Sequence, residues 1–198
     1  MAFQEPALGR MPPIGDLQAA LPKGAACLGL YFNDVIETAR RANPAANLPA
    51  LAGLEPRRYL PFLSYPYGDV MRLIVTAGRL LHPKETVAEA VRRVGHTAYD
   101  RLLATRAGSA LFDAFGKDPE RILLVGPRGY RLSVNFGSVT AHADGPRRVL
   151  YRFREMPAML ETYQVGVIEG ALRHLGVRGR VLVETMDIAN ADLEITWQ

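Results

Sequence analysis

Tyr163-Gln164-Val165-Gly166-Val167-Ile168-Glu169-Gly170-Ala171-Leu172-Arg173-His174-Leu175-Gly176 is the stretch around which the chain is organised. Val165, Ile168, Leu172 and Leu175 recur at spacings of three and four, the period of one helix face. Gly166 and Gly170 lie four apart, so they share a face that carries no side chains. A glycine inside a helix costs about 1 kcal/mol against alanine. A pair at this spacing therefore predicts that a backbone or a bulky side chain approaches that face closely, and the sheet is the expected neighbour. Gly176 supplies a left-handed stop. Strand-like runs lie on both sides, so the segment reads as a helix laid across a sheet.

Downstream, Val181 to Met186 reads as a strand, and Ala191, Leu193, Ile195 and Trp197 alternate with Asp192, Glu194 and Thr196, the pattern of a half-buried strand. Upstream, Val149, Tyr151 and Phe153 alternate with Arg148, Leu150, Arg152 and Arg154, and Asp144-Gly145 predicts a hairpin turn before them. Tyr130, Leu132, Val134 and Phe136 alternate with Arg131, Ser133 and Asn135, which predicts another strand, continued after a bend through His142. Before it, Asp118-Pro119-Glu120 opens a short helix that Gly126-Pro127-Arg128-Gly129 closes.

The remainder is helical in period. Pro83 to Phe115 carries the strongest pattern. Thr86 and Glu89 fit a capping box, Val87, Ala90, Val91 and Val94 form an apolar stripe, and Gly95 predicts a bend. Ala98, Leu102, Thr105 and Ser109 make a small-residue stripe suited to close helix pairing. Earlier helices are predicted from Leu30 to Ala42, with Asn33 and Asp34 marking its start, and from Asp69, as cap, to Leu81. Pro6, Pro12, Pro13 and Pro22 predict a flexible arm over residues 1–22. The expected fold class is α+β, a single domain over 23–198. Residues 23–128 form a helical layer packed on a C-terminal antiparallel sheet of order strand-strand-helix-strand-strand, from 129 to 198.

With 48% hydrophobic residues in 198, the chain can bury a substantial core. No apolar run reaches the roughly 20 residues of a membrane helix, and the N-terminus has neither a basic start nor an apolar core, which argues against a secretory signal. The expectation is a cytoplasmic protein with no membrane partner. The single Cys27 leaves no internal disulfide and no multi-cysteine metal site, and reads as a small buried hydrophobe. A net charge of +4 and a pI near 9.4 are compatible with nucleic acid. The cations are spread singly among acids, however, and only three are lysines, so nucleic-acid binding is not the favoured reading.

No nucleophile elbow, phosphate loop, dinucleotide fingerprint or zinc-protease motif occurs. His82, His96, His142 and His174 share no metal-ligand spacing. His96, on a helix beside Gly95, is the one histidine worth testing as a haem ligand. Glu169 and Arg173 read as an i, i+4 pair. Arg148, Arg152 and Arg154 lie on one sheet face opposite Asp192 and Glu194, and read as cross-strand ion pairs in preference to a docking patch.

Gly95-His96-Thr97-Ala98-Tyr99, Thr105, Gly108, Asp118-Pro119, Tyr130, Asn135-Phe136-Gly137, Gly166-Val167-Ile168-Glu169-Gly170 and Leu193-Glu194-Ile195-Thr196-Trp197 resemble a paralogous family of myxobacterial proteins. The resemblance runs from Lys23-Gly24 to the end of the chain. More distantly, the layout looks like the 4-vinyl-reductase type of small-molecule-binding domain, related in fold to the haem nitric-oxide sensor domain and to small subunits of vesicle-tethering complexes. The haem branch holds its propionates with Tyr-x-Ser-x-Arg. The nearest stretch here, Tyr130-Arg131-Leu132-Ser133-Val134, departs from that motif in spacing and lacks its arginine, so no haem and no other cofactor is expected.

The resemblance implies a site between helices and sheet. The expected function is a non-enzymatic sensory or regulatory module binding a small apolar ligand there, lined by Tyr99, Leu103, Phe112, Phe136, Tyr151, Phe153 and Ile168. The alternative is a protein-interaction or scaffold subunit, a homodimer or a partner-docking protein, whose core is filled and takes no ligand.

Overall fold

The computed structural model describes residues 2–7, 10–103 and 117–198, and the side chains of all of these except 100–103. The fold is α+β, with a helical layer on an antiparallel sheet. Where a flexible lead-in is expected, α1 (Ile14–Ala19) forms and buries Leu17. Gln4 bridges Val183 through backbone bonds of 3.0 and 2.8 Å, so this arm lies along the sheet's edge. A small sheet pairs β1 (Ala26–Leu28) with β2 (Ser64–Pro66). Between them run α2 (Gly29–Ala42), which starts four residues before Asn33, and α3 (Leu48–Leu51).

The next helix, α4 (Tyr67–Leu81), buries Val70, Met71, Leu73, Ile74, Val75 and Ala77, so apolar residues cover most of its circumference. That is the signature of a helix packed on several sides. Asp69 lies in its first turn and is not its cap. The capping box forms as expected at α5 (Val87–Leu103), where the Glu89 amide donates to Thr86 Oγ1 at 3.2 Å and the Thr86 amide donates to Glu89 Oε2 at 3.0 Å. This helix runs through Gly95 without a break.

One predicted strand is a helix. α6 (Pro119–Ser133), capped by Asp118, continues through Gly126-Pro127-Arg128-Gly129 and takes in Tyr130 to Ser133. The apparent alternation fails because Leu132 points to solvent (78% exposed), while Ile122 and Leu123 form the buried face. A proline at 127 has no N–H to offer the carbonyl four residues back, and its ring crowds that carbonyl, at a cost of about 3 kcal/mol in a helix interior. The carbonyl is Leu123's, and the buried Tyr151 hydroxyl donates to it from the sheet. Tertiary structure thus meets the need that the proline creates, and the helix survives.

The main sheet follows. β3 (Ser138–Ala143) and β4 (Arg148–Arg154) form a hairpin, then a turn of π-helix at Leu160–Gln164 leads into α7 (Val165–His174), and β5 (Gly179–Asp187) and β6 (Asn190–Trp197) close the chain. The strand-strand-helix-strand-strand order is as read from sequence. All neighbours are antiparallel in the order β3-β4-β6-β5. Tyr151 sits opposite Leu193, and Leu193 opposite Val183, so one face carries the core. Val149, Phe153, Ala191, Leu193 and Ile195 on that face have no exposure.

The opposite face carries the expected charges. Arg148 reaches Glu194 at 2.5 Å and Asp144 at 3.1 Å, and Arg154 reaches Asp192 at 2.6 Å. These arginines satisfy neighbours across the strands, which leaves little free charge for a docking patch.

Candidate functional site

Two places in the described structure gather side chains that can do chemistry or bind. The first is the interior between α6, α7 and the sheet. Tyr151 and Phe153 lie there side by side (ring centroids 6.1 Å apart), Tyr130 meets Phe153 edge-on at 5.5 Å, and Ile168 belongs to the same buried cluster. Tyr99 is close enough that its phenol influences those of Tyr130 and Tyr151, and burial pushes its own pKa up to about 12. Burial likewise raises Tyr130 and Tyr151, so all three phenols stay protonated donors at any ordinary pH.

Those donors are engaged. The Tyr130 hydroxyl donates to Gln164 Oε1 at 2.6 Å, and Gln164 Nε2 donates to the Ala158 carbonyl at 3.2 Å. Phe136 stands apart from this group, against Tyr67 of α4 with centroids 4.8 Å apart. The side chain of Leu103, and Phe112 altogether, lie outside the described residues, as do Thr105 and Ser109 of the small-residue stripe. Sequence reading missed Tyr130 as an interior group because it placed that residue on a strand.

The second place is the crossing of α5 and α7. The glycine face of α7 is buried as predicted, but it meets α5 and not the sheet. A Cβ on Gly166 would fall 2.0 Å from the Arg92 carbonyl oxygen, and one on Gly170 would fall 2.5 Å from that of His96. Gly95 reciprocates, since its Cβ would stand 2.4 Å from the Tyr163 oxygen. Carbonyl oxygens set against glycine Cα groups in this way make weak C–H···O contacts that recur where helices pack closely.

Over this backbone contact sits a polar cluster. Arg92 Nε donates to Glu169 Oε2 at 2.8 Å, its Nη2 reaches Oε1, and His96 Nε2 lies 2.7 Å from Oε2. Burial alone would raise Glu169. The hydrogen bonds from Arg92 and His96 outweigh it and hold the carboxyl below its ordinary value. Arg173, read from sequence as the partner of Glu169, donates instead to the His96 carbonyl at 3.0 Å. The only sequence signal for the true arrangement is that Arg92 and His96 flank Gly95 at i, i+4.

Around this cluster opens a cleft of about 770 Å³ between α5, α7 and the turn at 176–179. At that turn Gly176 takes a φ of 74°, its amide donates to the Arg173 carbonyl, and the Val177 amide donates to the Leu172 carbonyl at 3.2 Å. This is the Schellman closure that the sequence predicts. Elsewhere, Cys27 is 2% exposed and burial pushes its thiol up to about 12, so it is a packed hydrophobe and not a nucleophile. Among the described residues no three metal-ligating side chains converge, and no helix is long and apolar enough to cross a membrane.

Residues 24–198 match the family described as protein of unknown function (DUF2378), and the chain belongs to that family. Among curated proteins, none matches. The fold is similar to solved H-NOX proteins. An H-NOX protein from S. oneidensis in the Fe(II)NO ligation state aligns with a TM-score of 0.71 at 14% identity, covering 86% of this chain and 99% of that one. The Fe(II) unliganded H-NOX protein from K. algicida aligns at 0.66 and 10% identity, over 86% and 96%. A point mutant of T. Tengcongensis H-NOX aligns at 0.64 and 16%, over 86% and 97%. At such identities the likeness establishes the fold and leaves the ligand open.

The residues present do not fit an iron porphyrin. An axial ligand between helices and sheet would have to be His, Cys or Tyr, with Met serving opposite a His. His96 is bonded to Glu169 at the helix crossing, and His142 pairs opposite Leu150 on the outer sheet face. His82 ends α4 and His174 is exposed at the end of α7. Cys27 lies in the small β1–β2 sheet opposite Tyr65, and the Tyr130 and Tyr151 hydroxyls are bonded to Gln164 and to the Leu123 carbonyl. The segment 104–116 contains none of these residue types.

Proposed function

We propose that this member of the DUF2378 family is a non-enzymatic, cytoplasmic sensory or regulatory module that binds a small apolar ligand between its helices and its sheet. Tyr99, Tyr151, Phe153 and Ile168 would form the described part of the lining, with Phe136 at the far end, and Leu103 and Phe112 belong to the proposed set from the sequence alone. The observation that supports this reading is the Tyr151 hydroxyl on the Leu123 carbonyl, a placed polar group in a mostly apolar layer, at the point where Pro127 leaves α6 without its own hydrogen bond. Ligand sites of this kind are apolar with a few placed polar groups. A ligand that drew the phenol away would leave the Leu123 carbonyl unpaired, which couples occupancy to the stability of α6 at Pro127. Native mass spectrometry of the freshly purified chain is the test. The expected result is a bound mass that survives gentle ionisation, disappears on denaturation, and is reduced in a Phe153→Ala variant. A bare polypeptide mass in both conditions, with no apolar compound raising the melting temperature, overturns the reading.

A second reading, an interaction subunit that forms a homodimer, is favoured by one surface feature. Leu60, Phe62 and Leu63 are exposed, Phe62 to 86%, on a turn fixed to the start of α2 by bonds from the Gly29 and Leu30 amides of 2.8 and 3.1 Å. Light scattering tests it. A dimer that Phe62→Glu splits supports the homodimer, and a monomer at high micromolar concentration removes it.

A further inference from the structure

The α5–α7 cleft has a property that the interior site does not share: its lining carries four arginines against three glutamates, and Arg92, Arg93 and Arg178 keep N–H donors that those acids do not use. Glu85, Glu89 and Glu169 line it together with Arg92, Arg93, Arg173, Arg178 and His96. Glu169 is taken by Arg92 and His96. Glu89 is taken by the Thr86 cap, with its Oε2 accepting from both the amide and the hydroxyl at 3.0 and 2.8 Å. Glu85 is taken by Arg93, through Nε alone, at 2.6 and 2.7 Å.

A guanidinium carries five N–H donors in a rigid fork. Arg93 therefore keeps its two terminal nitrogens, and Arg92 keeps Nη1 after giving Nε and Nη2 to Glu169. Among the described residues the exposed Arg178 has no side-chain partner. Two of the C-terminal carbonyls of α7, those of Arg173 and Leu172, which would repel an anion at this spot, are taken by the Gly176 and Val177 amides. The walls are set by backbone-on-backbone contact at Gly95, Gly166 and Gly170, so the arginine-bearing helices hold their spacing before anything binds.

We propose that this cleft is a binding site for a small oxyanion-bearing molecule, a phosphate or carboxylate compound held by the free donors of Arg92, Arg93 and Arg178. Paired N–H donors match the two oxygens of such a group, and charge-assisted bonds of this type are about twice as strong as neutral ones. A cleft of about 770 Å³ has room for a metabolite-sized ligand. The site is open to water, so binding weakens as salt screens it. It is independent of the interior ligand proposed above.

The experiment uses the full chain labelled with ¹⁵N and follows the arginine Nε–Hε signals during titration with inorganic phosphate and, separately, with succinate. Sodium chloride at matched ionic strength is the control. The expected result is saturable shifts at Arg92, Arg93 and Arg178 with one or both probes and not with chloride. Saturation with phosphate alone assigns the ligand to phosphate compounds, and saturation with succinate alone assigns it to carboxylates. The double variant Arg93→Ala, Arg178→Ala should weaken binding by about tenfold or more with an unchanged melting temperature, because both side chains are surface groups. Should the double variant misfold, Arg178→Ala alone serves, since among the described residues that exposed side chain has no hydrogen-bond or ion-pair partner. Shifts no larger than those with chloride, or shifts of equal affinity in the arginine variants, overturn the proposal.

Discussion

At the α5–α7 crossing glycines meet backbone, whereas at the contact of α6 with β4 a glycine meets the tip of a side chain. Gly166 and Gly170 lie against the carbonyl oxygens of Arg92 and His96, which are fixed by the hydrogen bonds of their own helix. Gly126 lies against Tyr151, where an added Cβ would stand 2.2 Å from the hydroxyl and 3.3 Å from the ring carbon bearing it. The same residue type thus answers two different needs. Backbone cannot step aside without separating the helices, while a phenol can rotate and leave its hydrogen bond. The first contact is rigid and the second is adjustable, which suits the first to hold a surface cleft and the second to report on the interior.

The largest expected effect breaks the rigid contact. Gly166→Ala should destabilise the protein by about 3 kcal/mol, the upper end of overpacking costs, and Gly170→Leu should lower the melting temperature clearly. A melt of either variant equal to the parent's would remove the crossing as an organising contact. Next in size is Tyr151→Phe, which leaves the Leu123 carbonyl buried and unpaired at about 1–3 kcal/mol.

Gly126→Ala sharpens the comparison through a double-mutant cycle. Its cost should largely vanish in the Tyr151→Phe background, because both changes remove the same bond. Additive costs would show that the two positions act separately.

A smaller, pH-dependent effect is expected for Glu169→Gln. Glu169 titrates below its ordinary value of 4.5 in the folded chain. It therefore contributes stability above about that pH and loses it as pH falls through the depressed folded value. Denaturant melts should show the parent more stable than the variant near neutrality, with the gap closing on acidification below 4.5. A gap independent of pH would mean that the Arg92 and His96 bonds do not favour the carboxylate. The smallest effect has the opposite sign. Gly129 sits in α6 with nothing within 4 Å of its would-be Cβ, so Gly129→Ala should stabilise by up to about 1 kcal/mol. Destabilisation there would mean that α6 needs its flexibility beyond Pro127.

Much of this architecture is legible in local pattern. The capping box of Thr86 and Glu89, the helix start at Asp118-Pro119-Glu120, the Gly176 stop and the two closing strands depend on residues within a few positions of one another, and each forms as read. The cross-strand ion pairs of Arg148 and Arg154 are equally readable, because alternation along a strand places those side chains on one face. The candidate sites are less legible. Glu169 looks paired to Arg173 along its own helix, and the i, i+4 spacing of Arg92 and His96 beside Gly95 does not by itself say that these residues, more than 70 positions away, reach it first.

That α7 carries a bare, buried glycine face follows from residue order alone, since periodicity sets which residues share a face and composition sets whether that face can be closely approached. That α5 fills it, and not the sheet, is a tertiary outcome, because periodicity is blind to the identity of the neighbour. The same limit explains residues 130–133. Gly126, Pro127 and Gly129 are strong local breakers. They break nothing here because a hydroxyl from Tyr151, brought up by the sheet, satisfies the carbonyl that the proline frees.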